Sequence, residues 1–213
     1  GLNISGRDTV SNIKAFGKYI QDFGCDTSSH YINVFYISNR GGFPAEAYEL
    51  GWNYLRDNKA RGALHVYDEW GCGDFTGTMR LHDNVVENQS GAGFAIVTLG
   101  STDPCFSMDV EVYNNIFINT GLSQWHDPVI SLQGSNNKTK VKFYNNTVYG
   151  CNGSVSAFIY IPTDFGGTWE WRNNIVVDTN NVAWSGTVKS PSASTNNLWY
   201  NGGDGNPAAG GTH

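Results

Sequence analysis

The sequence is poor in charge. Asp, Glu, Lys and Arg make up 15% of its 213 residues, against roughly 25% in ordinary globular domains. No apolar run approaches the ~20 residues of a membrane-spanning helix, so no membrane span is expected. The formal net charge of −6 argues against a general nucleic-acid-binding protein, because such proteins carry a basic surface. The scarcity of Ala, Glu, Lys and Leu excludes a coiled coil or helical bundle.

Neutral polar and aromatic residues take the place of the missing charges. The chain contains 26 Gly and 24 Asn, and aromatic residues make up 14% of it. Disordered chains are poor in aromatic residues and rich in charge, so this composition indicates a folded protein. Its surface must be covered largely by amides and hydroxyls.

An Asn-centred pattern recurs six times along the chain. Each Asn is followed by mostly apolar residues and, four positions later, by Asn, Asp or Gly. These anchor asparagines are spaced by 31, 31, 31, 28 and 23 residues, at Asn53, Asn84, Asn115, Asn146, Asn174 and Asn197. A repeat of about 30 residues indicates a solenoid, in which each repeat packs on its neighbours.

The residues before each anchor predict a β-strand. Positions five and three before the anchor are apolar, and the alternate positions are mostly polar, which is the period of a strand with one buried face. The residues four before the anchor alternate in sign, in the order Glu49, Arg80, Glu111, Lys142 and Glu170. Parallel strands lie ~4.8 Å apart, so opposite charges become neighbours when repeat stacks on repeat.

Two further strands complete each repeat, one directly after the anchor and one in later apolar segments such as 62–67 and 128–132. The pattern predicts an all-β, right-handed parallel β-helix of about seven coils with three strands per coil. We expect a single domain over 1–213. It divides into irregular first coils (1–45), regular coils (46–201) and a C-terminal tail (202–213).

The chain resembles the right-handed parallel β-helix proteins of the pectate-lyase-like superfamily. The resemblance is carried by residues 110–115 (Val-Glu-Val-Tyr-Asn-Asn), 141–146 (Val-Lys-Phe-Tyr-Asn-Asn) and 169–174 (Trp-Glu-Trp-Arg-Asn-Asn). It implies the fold and, more loosely, action on polysaccharides, often with Ca²⁺ and a Lys or Arg base. None of that superfamily's catalytic motifs matches this chain, and charge alternation already accounts for Arg80, Lys142 and Arg172. The anchor asparagines are interpreted as architecture, because Asn tolerates the left-handed backbone of a tight turn and can hydrogen-bond from coil to coil.

The four cysteines are interpreted by their phase in the repeat. Cys72 lies 19 residues after Asn53, and Cys105 lies 21 after Asn84. Adjacent coils suit disulfide geometry, so a Cys72–Cys105 bridge and an oxidising, extracellular setting are predicted. Cys25 and Cys151 are several coils apart, and their pairing stays open.

Residues 64–70 form the richest polar cluster. If Leu64 is buried, His65 and Tyr67 point outward together. His65 with Glu69 could perform acid–base chemistry. Carboxylates in the following loop could instead serve a glycoside hydrolase or hold Ca²⁺, and for the metal site we name Asp68 and Asp74. A solvated strand end without function is the alternative interpretation.

A second cluster comprises Trp125, His126 and Asp127. His126 and Asp127 are candidate catalytic residues, or simply a turn before Pro128. Loop aromatics suited to stacking on sugar rings complete the candidate binding set, which is Tyr67, Trp70, Trp125, Tyr160, Phe165 and Trp184; covering the sides of the solenoid is the alternative role for them.

These observations predict a secreted module that binds or processes an extracellular polysaccharide, as a lyase or hydrolase if it is an enzyme. The alternative is a non-catalytic structural protein, such as an adhesin or a filament subunit that self-associates end to end. A bound Ca²⁺ is the one cofactor that the residues suggest.

Overall fold

A computed structural model shows how the repeats are arranged. The structure describes residues 2–6, 12–24, 32–39, 47–68, 77–98, 108–121, 129–134, 138–151, 159–179, 189–200 and 211–212. In these segments the secondary structure consists of strands and turns, and none of them contains a helix long and apolar enough to cross a membrane.

The strands form three parallel sheets, which the chain visits in turn once per coil. Sheet A contains Leu2–Gly6, Asn33–Asn39, Gly62–Asp68, Ala92–Thr98, Ile130–Gln133 and Ile159–Tyr160. Sheet B contains Ile13–Phe16, Tyr48–Gly51, Thr78–His82, Asp109–Tyr113, Lys140–Tyr144, Thr168–Arg172 and Ala193–Thr195. Sheet C contains Tyr19–Gln21, Tyr54–Arg56, Val85–Glu87, Ile116–Ile118, Thr147–Tyr149, Ile175–Val177, Asn197–Tyr200 and Gly211–Thr212. The predicted parallel β-helix with three strands per coil is confirmed.

The core lies between the three sheets and is built from alternate residues of each strand. In Asp109–Tyr113, Val110 and Val112 are buried while Glu111 faces outward. Equivalent core side chains stack along the axis: the ring centroids of Phe143 and Trp171 lie 4.6 Å apart with nearly parallel planes. Stacking repeats therefore lets a chain of short strands bury a continuous core, which no single repeat could do alone.

The anchor asparagines form a hydrogen-bonded ladder, in which every anchor is buried except Asn84, which is partly buried. The Oδ1 atom of Asn115 accepts hydrogen bonds from both the backbone N–H and the Nδ2 of Asn84, and Asn115 Nδ2 donates to the carbonyl of Leu81. The same bonds link each neighbouring pair from Asn53 to Asn197. The ladder predicted to join the coils is confirmed.

The predicted backbone role of the anchors is wrong. The positive φ angles fall on the residue before each anchor, at Trp52, Asp83, Asn114, Asn145, Asn173 and Asn196. The left-handed turn is thus made by an outward-facing residue. The anchor itself has no positive φ, and its amide satisfies a backbone N–H and a backbone carbonyl of the preceding coil, as Asn115 does for Asn84 and Leu81.

A second turn follows the first six strands of sheet C. Its left-handed residues are Asp22, Asp57, Asn88, Asn119, Gly150 and Asp178. From Asp57 onward the next residue is buried, at Asn58, Gln89, Thr120, Cys151 and Thr179. This second interior row varies in residue type, unlike the Asn ladder, and Cys151 belongs to it as a free thiol.

The alternating charges lie in one row on the outer face of sheet B, as predicted. Glu49, Arg80, Glu111, Lys142 and Glu170 are consecutive partners in the strand register, and Lys14 extends the row. Glu111 lies between two cations, with Oε2 3.5 Å from Arg80 Nε and Oε1 3.6 Å from Lys142 Nζ. In-register stacking makes equivalent residues of successive coils direct neighbours. The signs therefore have to alternate, because like charges side by side would repel.

Candidate functional site

The outer face of sheet A carries aromatic and polar side chains in two rows. In the first row, the register runs Tyr36, His65, Ala95, Ser131, Tyr160, one residue per coil. The second row contains Tyr67 and Gln133, separated by one strand. We define the sheet A face as Tyr36, His65, Tyr67, Ser131, Gln133 and Tyr160.

The rows face away from the core because they alternate with buried apolar residues. Leu64 and Val66 flank His65 in the chain and are almost fully buried in the hydrophobic core. Ile130 and Leu132 do the same for Ser131. The predicted placement of His65 and Tyr67 on one side of their strand is therefore confirmed, and Tyr160 shares that side.

His65 lies at the covered centre of this face. Its ring packs between Tyr36 and Tyr67, each with a centroid distance of 5.5 Å, and the residue is only 7% exposed. Burial, helped by the positive charge of Arg61, lowers the pKa of His65 from 6.5 to about 4. The imidazole is therefore neutral at neutral pH. In the part of the chain that the structure describes, no group hydrogen-bonds to its buried Nε2 atom.

The other members of the face are hydroxyl and amide groups. Gln133 Nε2 donates a hydrogen bond of 2.7 Å to Ser131 Oγ. Ser131 is buried, whereas Tyr36, Tyr67, Gln133 and Tyr160 are partly exposed. The face thus combines accessible tyrosine rings with neutral hydrogen-bonding groups.

Most of the other predicted site residues fall on segments that lie outside the described residues. These are Glu69, Trp70, Asp74, Trp125, His126, Asp127 and Trp184, together with Cys72 and Cys105 of the predicted disulfide. Asp68 ends its strand on sheet A, where its backbone alone is described. The proposed meeting of the two polar clusters therefore stays a prediction.

Phe165 does not have its predicted role. It is 1% exposed and belongs to the hydrophobic core. Lys189 lies over its ring at 5.6 Å and donates a hydrogen bond to its carbonyl oxygen. Its loop position suggested exposure, but the ring turns inward and cannot stack on a ligand.

A metal centre requires several ligands in one place. Among the described residues, no group of three or more His, Cys, Asp and Glu side chains could hold a metal ion. The predicted Ca²⁺ ligand Asp74 lies outside that part of the chain, so the Ca²⁺ site is still a prediction.

The sequence interpretation missed a histidine-centred cluster on the outer face of sheet B. His82 is buried between Trp52 and Tyr113, at centroid distances of 4.7 and 5.1 Å. Its Nδ1 lies 2.8 Å from Asp83 Oδ2 and its Nε2 lies 3.2 Å from Glu49 Oε1. Gly51 makes this possible, because a Cβ there would stand 2.5 Å from His82 Cε1. The side chain has partners on every side, so we assign it a structural role.

Sequence reasoning also missed Tyr36, Ser131 and Gln133 on the sheet A face. The alternation of apolar and polar residues could have found them, because each directly follows an apolar residue that is buried in its strand. Their coils lack regular spacing to the anchors, however, so only the strand register shows that they align with His65.

Comparison with known proteins adds no relative: no family model, no curated protein and no solved structure matches this chain.

Proposed function

We propose that this protein is an extracellular β-helix module that binds a neutral polysaccharide along the sheet A face. One observation carries the proposal: partly exposed tyrosines share a strand-register face with His65, a buried imidazole whose Nε2 lacks a hydrogen-bond partner among the described residues.

The shape of the face suits an extended polymer. Five strands contribute to the row from Tyr36 to Tyr160, and at ~4.8 Å per strand this row is roughly 20 Å long. Tyrosine supplies a flat apolar ring with a polar tip, which suits the C–H face and the hydroxyls of a sugar. A linear chain lying across the strands could therefore meet similar chemistry at successive coils.

The charge of the face favours a neutral ligand. None of the described side chains of the sheet A face carries a formal charge, and the neutral His65 adds none at neutral pH. The net charge of −6 opposes a polyanion such as polygalacturonate. A neutral polysaccharide needs no charged partner on the face and is not repelled by the negative net charge of the protein.

His65 is assigned to binding. Its low pKa makes it a weak base at neutral pH, and the described side chains of the face include no carboxylate to pair with it. A buried polar atom without a partner costs about 1–3 kcal/mol. A sugar hydroxyl that reaches Nε2 as the flanking tyrosine rings rotate would recover part of that cost.

Affinity electrophoresis and calorimetry with soluble galactomannan, xyloglucan and mixed-linkage β-glucan would test the proposal, with polygalacturonate as the anionic comparison. We expect binding to at least one neutral polymer. Tyr160→Ala and Tyr67→Ala should each weaken it about fivefold to tenfold, equivalent to about 1–1.4 kcal/mol. Tyr149→Ala removes an exposed tyrosine from sheet C and should leave soluble binding unchanged.

Two results would overturn the proposal. One is binding to polygalacturonate in preference to every neutral polymer. The other is equal affinity of the Tyr160→Ala, Tyr67→Ala and unaltered proteins, with thermal unfolding showing that each variant is folded.

A further inference from the structure

The outer face of sheet C changes character along the axis. Its strands of three or four residues bury the middle position, such as Phe117 and Val148, and expose the positions on either side. In the first coils these positions include Arg56 and Glu87. In the next four strands, from Ile116–Ile118 to Asn197–Tyr200, they are apolar or uncharged, and we call them the sheet C strip: Ile116, Ile118, Thr147, Tyr149, Ile175, Val177, Leu198 and Tyr200.

The strip is exposed. Tyr200 is 67% exposed and Tyr149 47%, and Ile116, Ile175 and Leu198 are each at least 40% exposed. Exposed apolar residues are common singly, but a contiguous set in strand register marks an interaction surface. No charged residue occupies any of its eight positions.

The size of the strip argues against a stable protein dimer. Four strands ~4.8 Å apart and three residues wide at ~3.3 Å per residue cover roughly 15 Å by 10 Å. A stable protein–protein interface buries about 800 Å² on each partner. The five most exposed members of the strip present roughly 500 Å² of accessible surface, which is below that area, and the strip has no charge to complement a charged partner.

Its shape fits a flat, uncharged surface. In-register parallel strands hold the side chains at one level, and Tyr149 and Tyr200 lie in the same row two strands apart. That spacing is ~10 Å. Flat apolar rows of this kind match the C–H faces of sugar rings packed side by side in an insoluble polysaccharide.

We propose that the sheet C strip docks the protein onto the apolar face of an ordered, insoluble neutral polysaccharide. This inference rests on the proposed function for the class of ligand, but it concerns a different face and a different physical form of the polymer. The sheet A face binds a single soluble chain, and the strip holds the protein on the solid.

Depletion from solution by microcrystalline cellulose and by chitin tests the inference. The unaltered protein should be depleted by at least one solid. Tyr149→Ser combined with Ile175→Thr and Tyr200→Ser should reduce that depletion at least fivefold while keeping binding to the soluble polymer. Tyr160→Ala should weaken binding to the soluble polymer while keeping depletion by the solid. The two variants thus separate failure of the strip from failure of the sheet A face.

The controls keep each outcome decisive. Thermal unfolding confirms that the triple variant is folded, and Thr147→Ser provides a matched conservative change within the strip. Depletion of the triple variant equal to that of the unaltered protein would overturn the inference. So would the absence of depletion by either solid, or sedimentation velocity showing a dimer that the triple substitution dissociates, since the strip would then be a contact between copies.

Discussion

Asn115 and Asn146 are joined by two hydrogen bonds to a single atom. Asn146 Oδ1 accepts from the backbone N–H and from the Nδ2 of Asn115, both at 3.0 Å. One side chain thereby satisfies two buried donors of the preceding coil. Repeated from Asn53 to Asn197, this relationship joins the coils at one corner of the solenoid.

Asn115→Ala should therefore be strongly destabilising. It removes the acceptor of two donors on Asn84 and the donor to Leu81, all buried or partly buried. Because each unsatisfied buried group costs about 1–3 kcal/mol, we expect a loss of about 3 kcal/mol or more in the free energy of unfolding, measured by urea denaturation.

Asn114 supplies the matched control for Asn115. It is exposed and has a φ of 55°, so Asn114→Gly should be nearly neutral and Asn114→Ala should cost about 1 kcal/mol. If Asn115→Ala costs no more than Asn114→Ala, the anchor acts through backbone conformation and the ladder is unimportant.

The stability of the protein should fall between about pH 6.5 and pH 4, in part because of His65. Its pKa in the folded protein, about 4, lies below the usual 6.5, so the unfolded chain takes up the proton first as the pH falls. The contribution of His65 to the free energy of unfolding is therefore fully present above pH 6.5. Up to about 3 kcal/mol of that free energy is lost as the pH approaches 4.

Urea denaturation of His65→Gln and the unaltered protein across that pH range isolates this contribution. The variant should show a shallower pH dependence than the unaltered protein. Identical slopes would show that the folded protein binds the proton on His65 as readily as the unfolded chain does.

Reversing the charge of Glu111 should be only mildly destabilising. Glu111→Lys would place three cations in succession on sheet B, since Arg80 and Lys142 flank this position. Exposed pairs are worth at most about 1 kcal/mol each, so we expect a total loss of about 1–2 kcal/mol.

Salt provides the check on the Glu111 prediction, because added ions screen exposed charges. Thermal unfolding of Glu111→Lys should approach that of Glu111→Gln as ionic strength rises. A loss of several kcal/mol that salt does not reduce would place Glu111 in a buried environment.

Cys151 should be inert toward thiol reagents in the folded protein. It is buried in the second interior row, and burial raises the pKa of its thiol to about 12. Peptide mapping after maleimide treatment should find Cys151 unmodified under native conditions and modified in denaturant. Recovery of Cys151 in a disulfide-linked peptide would contradict the free thiol.

Repeat spacing and alternation were enough to predict the coils, the three strands per coil and the charge row. These features are periodic, and a period of two or of about 30 residues is visible in the residue order itself. The anchor Asn53 could be recognised for the same reason. Its predicted backbone role failed because Trp52 and Asn53 are adjacent in the turn, and residue type alone does not say which of two neighbours takes the left-handed conformation.

The sheet A face could be predicted only in part. The alternation within residues 64–67 placed His65 and Tyr67 together, but the 7% exposure of His65 depends on Tyr36 from the previous coil. Phe165 shows the same limit, because its loop position gave no indication that its ring is buried.

The sequence by itself determined which residues alternate along each strand and which positions stack from coil to coil, because both follow from periodicity. Only the tertiary structure decided the direction of the anchor amides, the environment of His65 and the apolar strip on sheet C. Each of these depends on side chains about 30 residues apart meeting across neighbouring strands, and that contact exists only after the coils have stacked in register.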